Sequence, residues 1–253
     1  MWVGLISGIA IILLVILILG CRRVNIIRHV SPDEGIEDVE LIKAYDRISQ
    51  RPPFRLLRKL IIMELKKHNP QGILADVGCG PGYLITDMRK TFKELSITGV
   101  DISDEILQQA SKNIAALGYE EKTSFRRGDI HALPFEANSL DFIVSTLSLH
   151  HWSEPIKALH EIHRVLKPEG QFLLFDLRRD SPRLFYWLTR FVRMFIVPAI
   201  MRRINEPTSS VLANYTPIEL DSILKMTPFK KWNIKRGVFY LFAFGEKSGI
   251  PTD

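Results

Sequence analysis

Apolar and polar positions along this chain form blocks that predict strands and helices in turn. Five short segments, most of them rich in apolar residues, predict strands at Ile73–Val77, Ser96–Val100, Thr123–Arg127, Leu140–Ser145 and Gln171–Leu177. Longer segments with helical periodicity lie between them. This alternation is typical of a parallel sheet with helices on both faces, so we expect an α/β, doubly wound fold.

Further elements are predicted on either side of this block. A helical region over Glu40–Lys67, interrupted by Pro52 and Pro53, precedes the first strand. A helix near Pro217–Met226 follows the last one, and two strand-like runs come after it, Lys230–Val238 and Phe239–Glu246. The chain thus supplies enough strands for a single large mixed sheet.

The N-terminal segment has the pattern of a membrane anchor. Trp2–Gly20 contains no charged residue, and as a helix it would extend about 28 Å, near the thickness of the hydrocarbon core. Arg22, Arg23 and Arg28 follow it and no basic residue precedes it, which predicts that the rest of the chain lies on the cytoplasmic side. A lipoprotein cleavage site at residues 18–21 is the alternative interpretation.

These patterns divide the chain into an anchor at 1–21, a polar linker at 22–38, a domain at 39–247 and a tail at 248–253. Within the domain, the segment 182–205 is a second amphipathic region. Its residues Arg183, Arg190 and Arg193 share one side of a helix, and aromatic and aliphatic residues occupy the other side. It is either an interfacial membrane helix or an ordinary helix that covers the active site.

Composition and charge exclude some classes of function. With 253 residues, 46% of them hydrophobic, the chain can form one substantial α/β domain plus an appendage. Its net charge is +6, yet the basic residues form no tandem runs and no RNA-binding motif, so we predict no nucleic-acid partner. Its only cysteines, Cys21 and Cys79, give no disulfide framework, which fits a reducing compartment.

Three sites at predicted strand ends suggest a nucleotide-like ligand. The first strand runs into a turn that contains Gly78, Gly80 and Gly82, and such a turn lets a ligand approach the backbone closely. Asp101 ends the second strand at the spacing of one helix and one strand, where a carboxylate suits a ribose diol. Gly128 and Asp129 form the third site, after another helical stretch.

Together these sites resemble the class I S-adenosylmethionine-dependent methyltransferases, over roughly residues 40–247. The tight Gly-x-Gly-x-Gly spacing, with Asp76 two residues before the first glycine, differs from the Gly-x-Gly-x-x-Gly of dehydrogenases, which are the alternative family. The resemblance implies a Rossmann-like, seven-stranded sheet whose last strand is antiparallel. Residues 44–48 further resemble the N-terminal cap of the ubiquinone/menaquinone methyltransferases, in which a tyrosine, here Tyr45, closes over the cofactor.

The resemblance implies a role for each of these residues in binding S-adenosylmethionine. The three glycines would line its methionine and ribose, Asp76 would order the loop and reach the amino group, Asp101 would accept the ribose hydroxyls, and Asp129 would accept the adenine amino group. Each aspartate could instead cap a helix or a turn. The remaining implied cofactor contacts are Tyr45, Cys79, Ile102, Gly128, Ile130 and Ser145.

Candidate catalytic residues follow the fourth strand. The segment Leu140–Trp152 resembles the family's fourth-strand motif, whose end faces both cofactor and acceptor, and this places His151 and His150 near the reaction. Either histidine could take a proton from the acceptor, although many members of the family only position an acceptor that is already nucleophilic. His160 and His163 come with no further ligands, so we predict no metal site.

The sequence therefore predicts a membrane-anchored methyltransferase that uses S-adenosylmethionine. Its acceptor is expected to be small and lipophilic, such as a quinone precursor, an isoprenoid or a lipid. Two alternatives stay open: a methyltransferase for a protein or a soluble small molecule, and a noncatalytic cofactor-binding protein at the membrane. The oligomeric state is not predicted.

Overall fold

A seven-stranded sheet forms the centre of the protein, as a computed structural model of residues 20–29, 38–203 and 207–249 shows. The strands lie in the order β3-β2-β1-β4-β5-β7-β6. β7 is antiparallel to both of its neighbours, and the other pairs are parallel. The strands are β1 (Ile73–Val77), β2 (Ser96–Asp101), β3 (Thr123–Arg127), β4 (Leu140–Thr146), β5 (Leu166–Leu177), β6 (Lys231–Arg236) and β7 (Tyr240–Glu246).

Helices connect β1 to β2, β2 to β3 and β4 to β5 as the sequence pattern predicts, but the prediction of a helix between β3 and β4 is wrong, because residues 128–139 form turns and an isolated bridge instead. The helices are α1 (Val39–Ser49), α2 (Pro52–His68), α3 (Tyr83–Thr91), α4 (Asp104–Ala115), α5 (Pro155–Val165), α6 (Arg183–Phe195), α7 (Ala199–Arg203), α8 (Thr208–Ala213) and α9 (Pro217–Lys225). One 3₁₀ turn, Leu149–His151, follows β4. The chain order of the strands reverses between β1 and β4, and in open α/β sheets ligands bind at such a switch point.

Side chains that alternate along the strands form a core on each face of the sheet. In β5, Phe172 and Leu174 pack on one side, and Leu173 and Phe175 pack on the other, all of them fully buried. Parallel strands that are covered on both faces have near-continuous apolar sequences for this reason. The helices on each side therefore hold the carboxyl ends of the central strands in fixed positions.

The predicted fold class is confirmed, with shifts at element ends. The Glu40–Lys67 region is two helices, because α2 begins at Pro52 and a proline is well tolerated only in the first turn of a helix. β5 begins earlier than predicted, at Leu166, where it pairs with Leu140 before an irregularity in the register. The predicted antiparallel last strand is β7, which is inserted between β5 and β6.

The predicted membrane anchor lies almost entirely outside the described residues, since residues 1–19 are not among them. Of the helices that the structure does describe, none is both long and apolar enough to cross a bilayer. Residues 30–37 of the predicted linker, 204–206 of the amphipathic segment and 250–253 of the tail also lie outside the described part.

The first part of the predicted linker is bound to the domain. The backbone N–H of Val24 donates to the carbonyl of Ser181 (3.2 Å), and Arg183 N–H donates to the carbonyl of Arg22 (3.0 Å). Arg179 Nε donates to the carbonyl of Ile26 (2.7 Å). Residues 22–28 are therefore an extended segment held against the fold, and their polar composition did not indicate this.

Candidate functional site

The glycine loop after β1 has a backbone that side chains would obstruct. Gly78, Gly80 and Gly82 all have positive φ, at 73°, 52° and 79°, and residues other than glycine are rarely found there. A Cβ on Gly80 would lie 3.2 Å from Cε1 of Tyr45, and a Cβ on Gly78 would lie 2.6 Å from Oγ of Ser148. The loop is thus packed closely against Tyr45 of α1 on one side and against Ser148, after β4, on the other.

Backbone hydrogen bonds bring the ends of β1, β2 and β3 together. The N–H groups of Gly78 and Cys79 both donate to the carbonyl of Val100, at 2.8 and 3.0 Å. At the next strand boundary, Gly128 N–H donates to the carbonyl of Asp101 (3.0 Å). The three motifs that the sequence analysis identified therefore meet at one edge of the sheet.

Asp101 connects the second strand to the glycine loop. Its Oδ2 accepts a hydrogen bond from Gly80 N–H (3.0 Å), and its Oδ1 accepts one from Ser103 N–H (3.2 Å). Burial raises the pKa of this carboxyl group, and the N–H donors oppose that shift by favouring the charged form. Because a carboxylate oxygen has two lone pairs, each oxygen can accept one hydroxyl in addition.

Asp76 has a buried carboxyl group to which the described residues offer no hydrogen-bond partner. Asp76 is 1% exposed, and neither of its carboxyl oxygens has a hydrogen-bond partner within the part of the chain that the structure describes. Burial, and secondarily the charge of Asp101, raise its pKa to about 8. A buried polar group left unpaired costs free energy, so this carboxyl group is suited to a donor from a ligand.

Asp129 forms a third acceptor at the end of β3. Its side chain is half-exposed, and Oδ1 accepts hydrogen bonds from the backbone N–H and the ring Nδ1 of His131, both at 2.8 Å. The ring Nε2 accepts from Glu154 N–H (3.3 Å), which places the proton of the neutral ring on Nδ1. His131 thus fixes the orientation of the Asp129 carboxylate.

The remaining predicted cofactor contacts occupy different environments. The Ser145 hydroxyl is buried and donates to the carbonyl of Val77 (2.7 Å), so it joins β4 to β1. Burial raises the pKa of the Cys79 thiol well above its ordinary value, which keeps the thiol protonated and disfavours a nucleophilic role. Ile130 is buried, and Ile102 is half-buried beside Asp101.

A polar cluster that the sequence did not reveal holds α1 over the loop. Oδ1 of Asp46 accepts hydrogen bonds from the Tyr83 hydroxyl (3.0 Å) and from Asn113 Nδ2 (2.8 Å). Asn113 Nδ2 also donates to the carbonyl of Pro81, within the glycine loop (2.9 Å). These residues come from three helices that are far apart in sequence, so no local motif indicated them, and they fix the helix that carries Tyr45.

His150 is paired with Asp176, a residue that the sequence analysis missed. The distance from His150 Nδ1 to Asp176 Oδ2 is 2.9 Å, and the carboxylate also accepts from Leu177 N–H (2.8 Å). Both side chains are buried, at 3% and 0% exposed. An ionised carboxylate only accepts hydrogen bonds, so it places the ring proton on Nδ1 and leaves the basic lone pair on Nε2. The sequence signal that could have indicated Asp176 was an acidic residue within an otherwise apolar strand.

His151 lies beside this pair but has different properties. Its ring centroid is 4.1 Å from that of His150. Burial, and secondarily the proximity of His150, lower its pKa to about 4. It is therefore neutral and weakly basic near neutral pH, which disfavours His151 as a general base. Within the described ranges, no group of histidine, cysteine and acidic residues could hold a metal ion.

Comparison with known proteins identifies the family. A model of the methyltransferase domain matches residues 75–174, the stretch that contains the glycine loop, Asp101 and Asp129. An uncharacterized methyltransferase of Bacillus subtilis is 36% identical over 181 residues, which are 70% of this chain and 66% of that protein. This chain belongs to the class I S-adenosylmethionine-dependent methyltransferases.

Other relatives of this methyltransferase agree with that assignment. A demethylmenaquinone methyltransferase of Symbiobacterium thermophilum is 28% identical over 173 residues, covering 63% of this chain and 69% of that protein. A Methanococcus maripaludis structure, provisionally assigned as an S-adenosyl-L-methionine-dependent methyltransferase, shares the fold with a TM-score of 0.65 at 22% identity. The match covers 89% of this chain and 100% of the Methanococcus maripaludis chain. This chain spans only part of other curated relatives, from 20 to 62% of their lengths.

The family's cofactor is S-adenosylmethionine, and the residues of this methyltransferase fit it. The buried Asp76 carboxyl group, which has no partner in the described part, can receive the ammonium group of the cofactor. Asp101 can accept its ribose hydroxyls, and a Cβ at Gly80 would occupy space between the loop and Tyr45. These roles of individual residues stay predictions.

Proposed function

We propose that this protein transfers a methyl group from S-adenosylmethionine to a small lipophilic acceptor. The observation that carries the proposal is the buried Asp76 carboxyl group, which has no hydrogen-bond partner among the described residues and lies beside a glycine loop and a second strand-end carboxylate. A fold needs no such group for its stability, because an unpaired buried carboxyl group destabilises it. Binding of a cationic nucleoside would satisfy it.

The chain's own residues would bind and orient the reactants. When bound, S-adenosylmethionine would supply a methyl group whose bond to the sulfonium sulfur breaks as the acceptor attacks, with the neutral thioether as the leaving group. Asp76 and Asp101 would hold the two ends of the methionine and ribose portion, and Asp129 would accept the adenine amino group. The Asp46 cluster would keep α1 and Tyr45 over the site and exclude water, so that alignment supplies most of the rate enhancement.

We propose that His150 removes a proton from the acceptor. With Nδ1–H donated to Asp176, the lone pair on Nε2 can accept a proton from a phenol, an enol or a ring carbon as the new bond to the methyl carbon forms. The Asp176 carboxylate would stabilise the resulting positive charge on the ring. Asp176 is a positioning residue in this scheme, since it acts through His150.

Two observations support a lipophilic acceptor. Relatives of this chain include a ubiquinone/menaquinone biosynthesis C-methyltransferase and demethylmenaquinone methyltransferases, enzymes named for quinones. The uncharged run Trp2–Gly20 with its trailing arginines supports the further proposal that residues 1–21 anchor the protein, with its domain on the cytoplasmic side. An anchored enzyme would meet acceptors that are dissolved in the bilayer.

The test is incubation of the full-length protein with methyl-labelled S-adenosylmethionine and an extract of quinones and lipids. We expect label in the organic fraction, measured by mass spectrometry, and much less label with Asp101→Ala at a subsaturating concentration of cofactor. Asp104→Ala is the matched control, because Asp104 is an exposed acid paired with Arg127 (3.0 Å) outside the loop. Label only in protein or in the aqueous fraction would support a protein or soluble acceptor instead. Cofactor binding without label in any fraction would support a noncatalytic role.

A further inference from the structure

The helix α6 exposes a large apolar face. Its other side is packed on the domain, since Phe185 stacks on Phe239 with ring centroids 4.9 Å apart and Thr189 is buried. Apolar residues at helical spacing nevertheless point outward, and each of them is between 46 and 64% exposed. They are Leu184, Trp187, Leu188, Phe191, Met194 and Phe195. A contiguous exposed apolar face of this kind marks an interaction surface.

Arginines border this face. Arg183, Arg190 and Arg193 line a cleft of about 490 Å³ between α6 and the extended segment that contains Val24. Two more arginines of α7, Arg202 and Arg203, are exposed, and the sequence from 183 to 203 contains no acidic residue. The surface therefore combines apolar side chains with uncompensated positive charge, which is complementary to an anionic lipid surface.

The path of the chain leads to the same face. A Cβ on Gly20 would lie 3.4 Å from Cβ of Leu184 and 3.4 Å from Cζ3 of Trp187. The backbone of Arg23 pairs with that of Pro182 in an isolated antiparallel β-bridge, just before α6 begins. Because Gly20 ends the uncharged run that begins at Trp2, that run joins the domain beside the exposed face of α6.

We propose that this face of α6, with the arginines around it, lies on an anionic membrane surface. The apolar side chains would enter the boundary between headgroups and acyl chains, and the arginines would bind lipid phosphates. This inference rests on the proposed anchoring of the protein and deepens it, because it orients the domain on the bilayer. The other occupants considered are residues 1–19 of the same chain and a second copy of the protein.

Trp187 provides a direct test with the full-length protein. The protein is reconstituted in vesicles of phosphatidylcholine and phosphatidylglycerol with brominated acyl chains, which quench nearby tryptophans. The emission of Trp187→Phe is subtracted from that of the wild type, so that Trp2, Trp152 and Trp232 cancel. We expect the Trp187 component to lose most of its intensity in brominated vesicles.

The variant Arg183→Glu/Arg190→Glu is expected to restore most of that intensity, and the matched variant Lys59→Glu/Lys66→Glu is not. All four residues are exposed, and both variants change the charge by the same amount. If the Trp187 component were equally bright in brominated and unbrominated vesicles, the face would not contact lipid, and residues 1–19 or a second copy would cover it. Cofactor binding, measured by calorimetry in the same samples, keeps this outcome separate from a failure of the proposed function.

Discussion

Replacement of Asp76 by asparagine is expected to stabilise the ligand-free protein increasingly as the pH rises. Burial and the charge of Asp101 raise the pKa of Asp76 to about 8 in the folded state, whereas an unfolded aspartate titrates near pH 4. The folded protein therefore binds more protons than the unfolded chain between these values, and the wild type loses stability as the pH rises through that window. Above this window, the stability difference between variant and wild type stops growing, after an increase of at most about 6 kcal/mol.

Urea unfolding of the ligand-free protein at about pH 5 and about pH 9 measures this effect. The advantage of the Asp76→Asn variant should grow between the two conditions, whereas the control Asp104→Asn should show no such growth, because Asp104 is exposed. The same Asp76→Asn change should weaken the binding of S-adenosylhomocysteine by about 10- to 100-fold, through the loss of a charged hydrogen bond. If the Asp76→Asn variant had both the stability and the affinity of the wild type, the role given to Asp76 would be contradicted.

The second large effect is expected at the pair of His150 and Asp176. If Nε2 of His150 accepts the acceptor's proton, His150→Asn should lower kcat by about 10²- to 10⁴-fold and leave the affinity for S-adenosylhomocysteine unchanged. Asp176→Asn should lower kcat as well, because its amide can donate to Nδ1 and favour the wrong tautomer. Single-turnover kinetics with the labelled acceptor identified in the transfer assay measure both.

Two histidines serve as controls for this prediction. His151→Asn should have a small effect, because His151, with its pKa lowered to about 4, is a weak base. His160 is exposed on α5, and His160→Asn should leave kcat unchanged. If His150→Asn kept wild-type kcat while binding cofactor normally, the acceptor would be deprotonated without this residue, and alignment alone would account for the rate.

The sequence was sufficient for the parts of the site that local spacing defines. Gly78, Gly80, Asp76 and Asp101 lie in one strand–loop–helix–strand unit, so the motif itself predicted that they meet at the sheet edge. The His150–Asp176 pair could not be predicted in this way. His150 follows β4, and Asp176 lies near the end of β5. The two residues meet only because the register of these strands places Thr146 beside Phe175.

The amphipathic segment shows a different limit of sequence reasoning. Periodicity placed aromatic and aliphatic residues opposite the arginines, but it could not say which of them the domain would bury. Phe185 packs inward because Phe239 stacks on it, whereas Leu188 and Phe191 remain exposed. Which side of such a helix is buried depends on its tertiary neighbours, and the pattern contains no information about them.

The central claim is that strand-end carboxylates around the glycine loop bind S-adenosylmethionine. Calorimetric titration of the full-length protein with S-adenosylhomocysteine tests it most directly. We predict saturable binding by the wild type and by Asp104→Ala, and an affinity about 5- to 150-fold lower for Asp101→Ala, which lacks the acceptor of the ribose hydroxyls. The absence of binding by the wild type, or equal affinity for wild type and Asp101→Ala, would contradict it.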